Sequence, residues 1–174
     1  MSYDDYAALP DDGLRRQVID GEAFVTPAPN TRHQDIVRAV IVALSVHVET
    51  HGGGRAFVAP YDVVLSDYDV VQPDVVFVAD ARIGAINAAN IRGVPSLVVE
   101  VVSDSRMDRV RKRDLYARAG VPTYWIVDPE ADRIEVYRLA GDRYGSPAIF
   151  EPGTTLGIDE LDGFALDLTA LFRR

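Results

Sequence analysis

Three residues of this sequence have the type and the surroundings that chemistry requires. Glu100 stands in LVVEVVSDS (97–105), where Val98, Val99, Val101 and Val102 read as a strand apolar on both faces. An ionised carboxylate left unpaired in such a strand is costly. Asp74, in VVQPDVVFVA (70–79), raises the same question, since alternation places it on one strand face with Val76 and Val78. Pro73 removes a ladder hydrogen bond just before it, as at an edge or a bulge that re-aims a side chain. Two such strands bring both carboxylates to one end of a sheet. Mg²⁺ suits that arrangement, because it is held by one or two protein carboxylates plus waters and substrate oxygens. The plainer alternative pairs each acid separately with an arginine.

The third residue is Lys112, the single lysine beside 17 arginines. In SRMDRVRKRDLYARAG (105–120) it falls near one helical stripe with Ser105, Asp108, Leu115, Tyr116 and Ala119. Most of the arginines lie away from that stripe. Asp108, four residues earlier, is placed for an ion pair with it. A lysine snorkelling beside that partner is the bland reading. The functional reading is an ammonium held against the acids, in a helix that follows the Glu100 strand directly. Two acids, one lysine and a divalent cation are the parts of metal-assisted phosphodiester hydrolysis.

Other chemistries find less support. The Gly52-Gly53-Gly54 run lacks a following Lys-Ser/Thr and simply ends a helix. No G-x-S-x-G occurs, and the absence of cysteine excludes thiolate metal sites, disulfides and cysteine nucleophiles. His33 and His47 are about 21 Å apart along one helix, too far to share a metal. Packing or surface roles suit His47 and His51, whereas His33 lies in the first helical turn and can approach a site.

The elements that must position these residues follow a simple order. RQVIDGEAFV (16–25) has two short runs around Asp20-Gly21, a strong hairpin signal. A helix capped by Asn30 or Thr31, the latter forming a capping box with Gln34, runs to about Thr50. Strand-like segments follow at 56–65, 70–79 and 96–102, then a helix over about 105–119 that Gly120 and Pro122 end. Two more strands, 124–127 and 133–139, precede a loop-rich stretch, 140–174, with short apolar pieces. The expected class is α/β (α+β), a mixed sheet covered by helices.

At 174 residues and 48% hydrophobic composition the chain is expected to fold as one domain, 1–174. The acidic, polar start is unlike a signal peptide, and no apolar run approaches a membrane span, so a cytoplasmic protein is expected. A net charge of −9 argues against general nucleic-acid binding, so any such partner must meet a local basic patch or metal ions. Arg106, Arg109, Arg111, Arg113 and Arg118 supply the strongest such patch.

QPDVVFV, SLVVEVVSDS and D-x-x-x-K-x-x-x-Y-A-x-A-G-V-P-x-Y-W-I-V-D, with IDGEAFVTPAPNTRHQ upstream, resemble the Uma-two family of restriction-endonuclease-like proteins. That family lies within the PD-(D/E)XK nuclease superfamily, and the resemblance covers about residues 14–140. It implies a restriction-endonuclease-like central mixed sheet flanked by helices. It further implies Asp74 and Glu100 as metal-binding acids, the Val101 carbonyl as a further ligand, Lys112 as the catalytic lysine and Glu22 as an auxiliary acid. His33, Asp108 and Tyr116 become site neighbours. The superfamily lysine expected two residues after the acid is Val102 here, so Lys112 must substitute from the helix. The implied activity is a Mg²⁺- or Mn²⁺-dependent endonuclease acting on DNA, and a two-fold dimer suits an enzyme that cuts two strands. Alternatives are a catalytically silent module on the same fold and a hydrolase of small phosphoesters.

Overall fold

The computed structural model describes residues 1–10, 12–102 and 107–173, and the elements below are those among these residues. The chain opens with a short helix α1 (Tyr3–Ala7), followed by the hairpin β1 (Arg16–Ile19) and β2 (Glu22–Val25). Its two-residue turn is Asp20-Gly21, both at positive φ (52° and 75°), the backbone that Asp-Gly hairpins require. Helix α2 (Thr31–His51) is capped by Asn30, whose side chain accepts from the His33 amide, so the Thr31 capping box is not the one used.

Each of the first two long strand-like segments is broken at a proline. The segment expected at 56–65 is β3 (Gly54–Val58) and β4 (Val63–Ser66), separated around Pro60. The segment at 70–79 is β5 (Asp69–Val71) and β6 (Val75–Ala79), separated around Pro73. A proline cannot donate to a ladder, and at both points the chain changes sheet. A short β7 (Ile91–Arg92) and then β8 (Leu97–Val101) follow.

The helix expected over 105–119 begins with a π-helical turn, Met107–Lys112, and continues as α3 (Arg113–Ala119); Ser105 and Arg106 lie outside the described residues. On a regular helix Asp108 and Tyr116 would be about 80° apart. The wider i→i+5 turn takes less rotation per residue and draws Asp108, Lys112 and Tyr116 towards one line. All three are buried. Strands β9 (Thr123–Asp128), β10 (Arg133–Ala140), β11 (Arg143–Tyr144) and β12 (Ala148–Phe150) complete the main sheet. The C-terminal stretch is more ordered than its composition suggests. It forms a hairpin, β13 (Thr155–Ile158) and β14 (Leu161–Asp167), and a helix α4 (Leu168–Phe172).

The main sheet is mixed, in the order β11-β10-β9-β8-β6-β3 with β12 beside β10; β8 and β9 are parallel and the other pairs antiparallel. A smaller sheet runs β2-β1-β5-β4-β7. Strict alternation sorts the main sheet's residues between two cores. Val75, Phe77, Leu97, Val99, Val101, Trp125 and Val127 meet α2, the C-terminal hairpin and α4 on one face. Val76, Val78, Val98, Tyr124 and Ile126 meet α3 and the small sheet on the other. Glu100 shares parity with Val98, so its side chain points at α3. That single fact of register brings acid and lysine together.

Candidate active site

Glu100 is 3% exposed, and both its oxygens are engaged. The Tyr116 hydroxyl donates to Oε1 at 2.7 Å, and the Lys112 ammonium lies 3.0 Å from Oε2. The same ammonium is 3.2 Å from Asp108 Oδ1, the i,i+4 partner. From β9, the Tyr124 hydroxyl donates to the backbone carbonyl of Asp108 at 3.0 Å and so braces the π-turn.

Burial pushes the Glu100 carboxyl up to about 7 from its ordinary 4.5, against the pull of Lys112, with the Asp74 and Asp108 charges adding to the rise. Burial also works against the Lys112 ammonium, but Glu100, Asp108 and Asp74 outweigh it and hold the group charged. Burial thus dominates the Glu100 shift and the neighbouring acids dominate that of Lys112, while Asp74 and Asp108 push both groups in the same direction.

Asp74 lies one residue before β6 rather than within it, so face alternation does not govern it. Its Oδ2 accepts from the Val101 amide at 2.9 Å and faces His33 Nε2 at 3.0 Å. Hence Asp74 caps the strand pair sideways. The β6–β8 register pairs Val75 with Val99. Carried two residues further, it sets Pro73 opposite Val101. A strand residue's amide and carbonyl point the same way, so the Val101 carbonyl faces a proline with no N–H to offer.

Asp74, Glu100, Val101, His33, Asp108 and Lys112 line one small cavity of about 20 Å³, room for roughly one water-sized occupant. Pro27, Pro29 and His33 also line a cleft of about 1010 Å³ beside it, whose other walls include Arg32, Arg109, Asp128 and Glu130. Tyr116 reaches the site through its hydroxyl. Glu22 does not line the cavity; it is exposed on β2 and pairs with Arg111 at 2.9 Å. His47 packs edge-on against Phe164 and stacks on His51, away from the acids. Among the described residues no three His, Cys, Asp or Glu are grouped as a metal-holding set.

Two features escape sequence reasoning. Arg15, Gln17 and Gln72 wall the cavity, and nothing in a hairpin pattern says which polar side chains turn inward. The arginine patch is also largely neutralised. Arg109 binds Asp128 and Glu135, Arg111 binds Glu22, Arg113 binds Asp114, and Arg118 binds Asp20; Arg106 lies outside the described residues.

A crystal structure of "a putative nuclease belonging to DUF820" from Anabaena variabilis ATCC 29413 superimposes with a TM-score of 0.83 at 20% identity, covering 99% of this chain and 97% of that one. The fold is therefore restriction-endonuclease-like. Among the described residues no helix is long and apolar enough to cross a membrane. No curated protein matches the sequence. The family model described as "Uma2: Putative restriction endonuclease" matches residues 3–169, nearly the whole length. With the fold and the match in agreement, the chain belongs to the Uma2 family of that description.

Proposed function

We propose that this protein is a metal-dependent nuclease that hydrolyses phosphodiester bonds in DNA at the Asp74–Glu100–Lys112 pocket. The observation that carries the reading is the meeting of these three side chains in one buried cavity beside a much larger cleft. The donor chemistry fits a hard divalent cation. Two carboxylates and a carbonyl without a ladder donor suit Mg²⁺ or Mn²⁺, which take their remaining ligands from water and phosphate. The charge fits too: Asp74, Glu100 and Asp108 outnumber Lys112 and Arg15 on the cavity wall, so added positive charge would be welcome there.

Asp74, Glu100 and the Val101 carbonyl would hold the cation, which supplies positive charge to the scissile phosphate and acidifies the attacking water. Lys112 points its ammonium at the same place and stabilises charge that develops on the phosphate oxygens. His33 fixes the orientation of Asp74, and Tyr116 holds one oxygen of Glu100. Asp108 keeps Lys112 aimed. Glu22 has no part in this scheme where it stands.

The neutralised arginines favour a second reading, a hydrolase of small phosphoesters, since a duplex needs more unpaired positive charge than this surface offers. One panel separates them: duplex DNA, single-stranded DNA, RNA and small phosphodiesters, each with Mg²⁺, Mn²⁺ or chelator. Cation-dependent DNA cleavage that Glu100→Gln and Lys112→Ala abolish is the expected result. Variants that cut as well as the parent would overturn the assignment. Sedimentation of the same samples reports whether a two-fold dimer presents two such sites.

A further inference from the structure

We propose that Arg15 forms an anion-binding site at the mouth of the acid pocket, where a free edge of its guanidinium takes a non-bridging phosphate oxygen. The inference deepens the nuclease reading and rests on it for the identity of the phosphate. It starts from how the arginines are distributed. The cleft contains Arg32 and Arg109, but Arg32 is tied to Asp132 and the Phe172 carbonyl, and Arg109 to Asp128 and Glu135. An arginine already paired with carboxylates has little charge left for a ligand.

Arg15 differs. It precedes β1 and lines the cavity that contains Asp74, Glu100 and Lys112. Among the described residues it pairs with no carboxylate. Its Nε donates to Gln72 Oε1 at 3.4 Å, and its Nη2 to the Gln72 backbone carbonyl at 3.1 Å. Those bonds occupy one edge of the planar fork and leave Nη1 without a partner among the described residues.

Gln72 itself cannot flip. Its amide nitrogen donates to Asp62 Oδ1 at 2.8 Å and to the Tyr6 hydroxyl oxygen at 3.2 Å, and Asp62 accepts only. The amide oxygen must therefore face Arg15. Tyr6 fixes Asp62 in turn, by donating to the same Oδ1 at 2.9 Å. The guanidinium is thus held by a chain of oriented groups whose last member, Gln72, is two residues from Asp74. Such a preset, donor-only fork is the side chain best matched to phosphate oxygens.

The bland alternative is that Arg15 merely fastens the hairpin to the end of β5. Melting temperature is therefore compared as a difference, with inorganic phosphate against chloride at matched ionic strength, because a fastening role leaves that difference unchanged. The parent should gain a saturable increment. Arg15→Ala should lose it, while Arg82→Ala, an exposed arginine outside the pocket, should keep it. On a cleaved substrate Arg15→Ala should raise KM or lower kcat/KM by about tenfold to a hundredfold, the worth of one charge-assisted bond. If Arg15→Ala does not fold, Arg15→Lys replaces it; a reduced increment supports the site and an unchanged one refutes it. No increment in the parent, or a full increment in Arg15→Ala, overturns the proposal. An increment lost in Arg15→Ala, with no substrate cut by the parent, refutes the nuclease reading and leaves the anion site standing.

Discussion

Two buried glutamates, on strands flanking β9, answer the problem of a charge in a sheet in opposite ways. Glu135, on β10, is 5% exposed and is met by Arg109, by Arg133 at 3.1 Å and by the Tyr137 hydroxyl at 3.1 Å. One carboxylate there has two guanidinium groups. Glu100, on β8, shares a single ammonium with Asp108, and Asp74 stands nearby. With Asp128 also on Arg109, Glu135 belongs to a balanced set of two acids and two bases, whereas Glu100 has surplus acid. Balance fastens a structure; surplus acid leaves room for a cation.

The sharpest way to break this comparison is to remove each acid in turn. Glu135→Ala leaves Arg133 without its acid and Arg109 with Asp128 alone, and we expect a loss of about 3 kcal/mol in chemical denaturation. Glu100→Gln removes one negative charge from a pocket with too many, so its stability near neutral pH should equal or exceed that of the parent. Equal losses in the two variants would erase the distinction.

A pH series sharpens it. The Glu100 carboxyl titrates at about 7 in the folded chain and at 4.5 ordinarily, so the folded state binds the extra proton. A raised acid contributes stability below 4.5 and loses it as pH rises through 7. The cation-free parent should therefore weaken relative to Glu100→Gln between about pH 4.5 and 7, by on the order of 3 kcal/mol. A gap that does not vary with pH would contradict this.

Divalent cation supplies the next test. Mg²⁺ or Mn²⁺ at a hundred times its dissociation constant should stabilise the parent by about 2.7 kcal/mol. Asp74→Asn should cancel most of that gain, and Glu135→Gln should leave it intact. The smallest effect concerns the Tyr116 hydroxyl. Tyr116→Phe should cost about 1 kcal/mol of stability and shift the pH midpoint of activity upward, since the bond to Glu100 favours the ionised carboxylate. An unmoved midpoint would show that the hydroxyl does not tune that acid.

How much of this was legible depends on the range of the interactions. Glu100, Asp74 and Lys112 stood out locally, as polar residues on apolar strand or helix faces. Asp20-Gly21 dictated its hairpin through backbone geometry alone. What stayed hidden depends on partners far along the chain. The pairing of Arg118 with Asp20 spans 98 residues, and that of Arg111 with Glu22 spans 89. The arginine-rich helix therefore read as a basic patch when it is mostly neutral. Arg15 escaped for the same reason, since its partner Gln72 is 57 positions away. The runs 56–65 and 70–79 misled differently: valines stand on both sides of Pro60 and Pro73, and although Pro73 marked an edge or a bulge, nothing in either run said that the chain passes to another sheet there.

The wide turn at Met107–Lys112 gives the pocket a buffer against changes of chain length. Excising one exposed residue from it, Val110 for instance, would let the coil tighten to ordinary winding while α3 kept its seat. Asp108 would then stand three residues before Lys112 instead of four and turn by only about 30°, against the full step of about 100° that the same loss would cause in a regular helix. One codon fewer would thus leave acid and ammonium facing each other, so charge balance here rests on side-chain identity and tolerates a shortened chain.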